Sequence, residues 1–105
     1  MNVKFTFRGM ESSPTIEQYV AEKNKKIVRI LEKERDPQLL EVILESHKTH
    51  AQYAVELRLH AADYHDLVKK SGTDLYGLID LAFDALVHEI RKKKEFNIDK
   101  RKATS

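Results

Sequence analysis

Apolar and polar residues alternate in four segments of the chain, and this two-residue period predicts four half-buried strands. The first segment covers residues 3–8, where Val3, Phe5 and Phe7 share one side. The same period recurs over residues 39–45 and 53–60 and, more weakly, over residues 65–70. Residues 46–52 form a polar connection, and residues 61–64 form a turn without the Asn-Gly signature of a tight hairpin. Each predicted strand therefore has one apolar face to cover.

Two other segments have the three- and four-residue spacing of an amphipathic helix. The first begins at Ser13-Pro14, a capping residue followed by proline, and ends at Asp36-Pro37 because a residue before proline avoids the helical region. Its apolar face consists of Ile16, Val20, Ile27 and Leu31, with Asn24 out of place among them. The second helix starts near Ser71 and Thr73, with Asp74 and Asp80 close to its positive end. Its apolar face consists of Leu75, Ile79, Ala82, Phe83, Leu86 and Ile90, and its end is marked by the cations of residues 91–94.

The element order strand-helix-strand-strand-strand-helix predicts an α+β fold. The economical arrangement is a four-stranded mixed sheet with two helices packed on one face. The first two strands flank a helix, so they should be parallel with a right-handed crossover, and the other neighbours should be antiparallel. We expect one domain over residues 1–95 and a basic, flexible tail over residues 96–105.

Length and composition exclude several classes of protein. A chain of 105 residues can bury a core without disulfide or metal support, and the absence of cysteine rules out a disulfide framework and a thiolate metal site. No segment resembles a signal peptide or a transmembrane helix. The sequence therefore predicts a soluble, cytoplasmic protein with no membrane partner.

Little in the sequence suggests catalysis. His47 and His50 could be two metal ligands, but a site needs three or four, and two histidines in a polar loop are common by chance. There is neither a serine–histidine–aspartate pattern nor a glycine-rich phosphate loop. We therefore expect a protein that is not an enzyme, with no cofactor, no metal and no small-molecule substrate.

The distribution of charge is more informative than the net charge of +2. Cations gather in the first helix and at the end of the second, a pattern that fits helices meeting phosphate as well as it fits two solvated helix faces. On the second helix, Leu81, Ala85, His88 and Lys92 lie on a stripe facing away from the core. The candidate nucleic-acid-binding residues are Lys23, Lys26, Arg29, Lys33, His88, Arg91, Lys92 and Lys94.

Two sequence patterns, together with the element order, carry a family resemblance. They are Asp74-x-Tyr76-x-x-Ile79-Asp80-x-x-x-Asp84-x-Leu86 in the second helix and Val20-x-x-Lys23-x-x-Lys26-Ile27 in the first. Over about residues 1–95 the chain resembles the short ribosome hibernation promoting factors, the ribosome-associated inhibitor or sigma-54 modulation family. The resemblance implies binding in the messenger- and transfer-RNA cleft of the small ribosomal subunit, with idle ribosomes held inactive and both helices on ribosomal RNA.

The resemblance also assigns individual positions. Lys23, Lys26, Lys92 and Lys94 match basic positions of the family. The departures are Ala85 and His88, which stand where the family usually has lysine and arginine, Asn24 in place of an apolar residue, and Lys70 in place of a small one.

The leading hypothesis is a translation regulator, monomeric when free, that binds small-subunit RNA. Two alternatives remain: a protein-binding regulator that uses Leu81 and Ala85 together with the acidic surface of the sheet, and a general module for double-stranded RNA.

Overall fold

The structure is a computed structural model that describes the backbone of residues 1–103 and the side chains of residues 1–96 except that of residue 49. The elements occur in the predicted order. They are β1 (Asn2–Arg8), α1 (Pro14–Ile30), β2 (Gln38–His47), a short 3-10 helix (Lys48–His50), β3 (Gln52–Ala61), β4 (Tyr64–Gly72) and α2 (Leu75–Ala103).

The four strands form one mixed sheet in the order β1-β2-β3-β4. β1 is parallel to β2, whereas β2–β3 and β3–β4 are antiparallel, which confirms the predicted directions. In this register Phe5 lies beside Val42, and Leu57 lies between Val42 and Val68. Most apolar positions of the four strands therefore share one face.

Both helices cover this apolar face, and the predicted α+β class is confirmed. The core between the layers contains fully buried side chains from sheet and helices alike. They include Val20, Ile27, Leu40, Val42, Leu44, Val55, Leu57, Leu59, Ile79, Leu86 and Ile90. The opposite face of the sheet, called the open face below, carries polar side chains around two buried apolar residues, Ile43 and Ala54.

Helix α1 ends at Ile30, so the sequence-based end at Asp36-Pro37 was wrong by about six residues. Side chains from outside the helix explain the early end, because they satisfy backbone carbonyls that would otherwise continue the helix. The buried Gln38 amide donates to the carbonyl oxygens of Leu31 and Glu34, at 3.0 and 3.1 Å. Lys94 Nζ donates to the carbonyl oxygen of Ile30 at 3.0 Å.

The second helix is longer than expected and starts with a different cap. Asp74, rather than Ser71 or Thr73, precedes its first residue, and Asp74 Oδ1 accepts a hydrogen bond from the Gly77 N–H at 3.2 Å. The helical backbone continues past the cations of residues 91–94 to Ala103. The domain boundary at residue 95 and the flexible tail stay predictions, and the last two residues of that tail lie outside the described part of the chain.

Candidate nucleic-acid interface

The two helices lie side by side and run parallel. Near their first turns, the Tyr19 hydroxyl donates a hydrogen bond of 2.7 Å to Asp80 Oδ1. Near the end of α1, Lys94 reaches the carbonyl oxygen of Ile30. The first contact joins residues that are 61 positions apart in the sequence, and the second joins residues that are 64 positions apart. Residues 88–92 of α2 therefore lie roughly level with residues 25–30 of α1. The cations late in both helices therefore gather at the same end of the domain.

Lys23 belongs to the contact between the helices. Its Nζ atom lies 3.0 Å from Asp80 Oδ1 and 5.6 Å from the centre of the Tyr19 ring. The hydrogen bond to Asp80 raises the pKa of Lys23. The hydrogen bond from Tyr19, together with that from Lys23, lowers the pKa of Asp80. A phosphate approaching Lys23 therefore meets an ion pair rather than an isolated cation.

The sequence places Asp80 close to the positive end of the second helix, and the structure gives it a further role. Besides Lys23 it holds Tyr19, whose ring packs edge-on against Tyr76 with 4.9 Å between ring centres. These side chains fasten the start of α2 to α1. The sequence shows a tyrosine four residues before Lys23 but does not say which carboxylate they share, so this contact could not be predicted.

Lys94, another candidate residue, is half-buried and committed to the end of α1. Its neighbour Lys93 is held in a similar way: its ammonium group donates to the carbonyl oxygen of Asp63 and lies 5.6 Å from the centre of the Tyr64 ring. Both lysines attach α2 to other elements. Their positive charge still contributes to the field at this end of the domain.

Seven of the eight candidate residues have exposed side chains, and six of these lie outside the Lys23–Asp80 ion pair: Lys26, Arg29, Lys33, His88, Arg91 and Lys92. Lys33 lies in the turn after α1, not on the helix face where the sequence placed it. Within the described part of the chain, none of these six side chains makes a hydrogen bond or ion pair with another residue. These six residues, called the cation set below, are free to meet phosphate oxygens.

The surface near the helix starts has the opposite character. Asp74 and Asp80 lie there, Asp84 follows one turn later, and Leu81 is exposed between the last two. A Cβ atom at Gly77 would lie 2.7 Å from Asp74 Oδ2, so a larger residue at this position would displace the Asp74 carboxylate. Negative charge at this end directs an anionic ligand toward the other end of the helix pair.

The histidines of the polar loop do not assemble a metal site. His47 Nε2 lies 3.7 Å from Glu45 Oε1. Among the residues that the structure describes, no group of three or more histidine, aspartate or glutamate side chains is arranged to hold a metal ion. Within the same residues, no helix combines the length and the apolar character needed to cross a membrane.

A two-layer α+β domain with exposed cations on a pair of parallel helices is thus the class that fold and site define. The model of the family described as sigma 54 modulation protein / S30EA ribosomal protein matches residues 3–97, and the chain belongs to this family. The resemblance inferred from the helix patterns is therefore confirmed.

Solved structures share the fold. The N-terminal domain of Protein Y from Thermus thermophilus is 24% identical, with a TM-score of 0.75 over 88% of this chain and 98% of that one. A ribosomal subunit interface protein from Coxiella burnetii is 18% identical, with a TM-score of 0.77 over 90% of this chain and 99% of that one. Comparison with curated proteins gives no significant match.

Proposed function

We propose that this protein is a non-enzymatic, cytoplasmic translation regulator that binds the small ribosomal subunit in the messenger- and transfer-RNA cleft and keeps idle ribosomes inactive. Membership of a family whose description includes a ribosomal protein supports a ribosomal partner. The observation that carries the proposal is the cation set, which two parallel helices bring to one end of the domain.

The chemistry of the cation set suits contacts to the RNA backbone. The flexible side chains of lysine and arginine bind phosphate oxygens, and neutralisation of the phosphates releases the counterions of the RNA. Phe83 is buried in the core, and the exposed aromatic side chains of α2, Tyr76 and Phe96, do not belong to the cation set. The helix pair should therefore recognise the shape and backbone of folded RNA rather than its sequence.

Cosedimentation with ribosomal subunits and whole ribosomes tests the proposal. Lys26→Glu combined with Lys92→Glu reverses one exposed cation on each helix. We expect this variant to lose binding to the small subunit while its melting temperature stays nearly unchanged, because both side chains are exposed. Binding of the wild type should weaken steeply with salt, and each lost phosphate contact should reduce the slope of log affinity against log salt by about 1.

The matched control is Lys4→Glu combined with Lys69→Glu. These lysines are exposed on β1 and β4, and the alternation of each strand directs them to the open face of the sheet. The control changes the net charge as much as the test variant does, so it separates local contact from overall charge. Equal loss of binding in both variants, or none in either, would contradict the proposed surface.

A protein partner is the second candidate, and the exposure of Leu81 favours it. Leu81 projects from α2 close to Asp84 and the half-buried Ala85. If a protein is the main partner, Leu81→Asp should abolish cosedimentation and the Lys26→Glu, Lys92→Glu variant should retain it. Binding to free duplex RNA as tight as to ribosomal subunits would instead indicate the general RNA module.

A further inference from the structure

We propose that a cavity at the cation-rich end of the domain binds one unstacked nucleobase of the RNA that the helices contact. The cavity has a volume of about 490 Å³ and lies between the start of β2 and the β3–β4 turn. Its volume exceeds that of one nucleoside. The inference rests on the proposed function and adds a second, chemically different contact to it.

The lining of the cavity is largely apolar. Pro37, Leu39, Ala61 and Ala62 contribute to this uncharged surface. An RNA phosphate gains nothing from such a surface, because burial there would remove its hydration without replacing it. A planar, uncharged base that packs on the same surface removes apolar area from water, and the free energy of this burial is favourable.

Two imidazoles form one side of the cavity. His60 of β3 and His65 of β4 are cross-strand partners, with ring centres 6.0 Å apart and ring planes inclined by 58°. Both side chains are exposed, and His60 Nε2 lies 3.7 Å from Glu41 Oε1. Histidine rings are among the side chains on which unstacked RNA bases pack.

The rim of the cavity is continuous with the cations of α2. Arg35 lines the cavity, and its Nη2 atom lies 3.4 Å from Asp63 Oδ1 in the β3–β4 turn. The carbonyl oxygen of the same Asp63 accepts the hydrogen bond from Lys93. A nucleotide with its base in the cavity would thus place its phosphate at the rim, beside Arg35 and within the field of the α2 cations. Asp36 also lines the cavity, and its negative charge disfavours a nucleotide bound with its phosphate, rather than its base, inside the cavity.

This arrangement identifies the ligand as an unpaired nucleotide rather than a base pair. A base inside a helix is stacked on both faces and cannot enter a cavity at the end of a sheet. Loops, bulges and flipped-out positions present their bases for such capture. The helix pair would bind the backbone, and the cavity would add a requirement for one unpaired base at a defined distance from it.

The direct test is a titration of the wild-type protein with adenosine 5′-monophosphate, followed by nuclear magnetic resonance of the histidine side chains and backbone amides. We expect shifts of His60, His65 and the neighbouring Ala61 and Ala62. Ribose 5-phosphate, which lacks a base, should not produce them. Equal shifts with both compounds, or shifts confined to the cation set, would overturn the proposal.

Variants extend the test to RNA. His60→Ala with His65→Ala should reduce the affinity for a short unpaired RNA oligonucleotide by at least about 5-fold, as loss of one stacked base does, and leave duplex RNA binding unchanged. His60→Phe with His65→Phe keeps two flat rings and should restore binding, which also guards against a folding defect of the alanine variant. His50→Ala, an exposed histidine of the polar loop, is the matched control. Wild-type affinity in the alanine variant would contradict the proposal.

The two proposals can fail separately. If the wild type cosediments with small subunits but adenosine monophosphate leaves His60 and His65 unaffected, the cavity assignment is wrong and the ribosomal function stands. If the nucleotide binds the cavity and the wild type does not cosediment, the ribosomal function is wrong, and the cavity remains a nucleobase site without the proposed RNA.

Discussion

Leucine-to-alanine substitutions at two positions of α2 provide a direct test of the packing described above. Leu86 is fully buried, at 0% exposure, whereas Leu81 on the same helix is 57% exposed. Leu86→Ala removes three carbon groups at about 0.8 kcal/mol each, or about 2.4 kcal/mol, before any cavity forms. With incomplete collapse of the cavity, we expect a loss of about 2–5 kcal/mol in the free energy of unfolding.

Leu81→Ala is the matched control. Less than half of this side chain is removed from water and no enclosed cavity would remain, so the loss should be about 1 kcal/mol or less. Alanine also has the higher helix propensity. Thermal and urea unfolding measure both variants, and Leu86→Ala should lower the melting temperature by at least about 8 °C for a domain of this size. Similar losses at both positions would mean that α2 does not cover the sheet with the face described here.

Three further predictions concern ionisable groups and binding. The hydrogen bond from Tyr19 lowers the pKa of Asp80, so the ionised carboxylate stabilises the fold at neutral pH. This stability is lost as pH falls below the ordinary pKa of 3.8. Asp80→Asn should therefore lower the melting temperature at pH 7, and should lower it less at pH 3. Burial raises the pKa of Asp66, whose Oδ2 atom is buried without a hydrogen bond in the described residues. The stability of the fold should therefore fall as pH rises above 3.8. Asp66→Asn should raise the melting temperature at pH 7, and this increase should vanish in acid. Ala85→Lys with His88→Arg should tighten small-subunit binding at pH 7.5, because it adds two permanent cations beside Lys92 that can bind phosphate oxygens. A titration of small subunits in which both proteins bound alike would refute this.

The sequence predicted the architecture because each element has its own periodicity. Val3, Phe5 and Phe7 repeat every two residues, and the core residues of α2 repeat every three or four, so the two kinds of element are distinguishable without tertiary information. The parallel pairing of β1 with β2 followed from the helix between them. Local patterns and global fold agree here, as expected for a sequence with few competing structures.

The helix boundaries could not be predicted in the same way. The end of α1 depends on Gln38 and Lys94, which come from β2 and from the far part of α2. The periodic stripe in the sequence runs to Leu31, and the charged residues that follow it are equally compatible with a helix or a turn. The hydrogen bond from Lys94 leaves no local signal, because this residue is 64 positions away from Ile30.

The candidate site was predicted in composition but not in arrangement. Charge clustering identified the cations of both helices, yet it could not distinguish Lys26, which is exposed, from Lys23, which is paired with Asp80. That distinction requires the register between the helices. Likewise, the pairing of His60 with His65 depends on the β3–β4 register, so the cavity beside them has no signature in the sequence.

The position of α2 at the end of the element order has a consequence for synthesis. A chain made from its amino terminus completes β3 and β4 before the helix that covers them exists, so Leu57, Leu59 and Val68 stay uncovered until the last third of the protein is available. A fragment that ends before Leu75 should therefore self-associate through this exposed sheet face. Removal of residues 97–105 leaves the covering part of α2 in place and should give a monodisperse species in sedimentation velocity experiments.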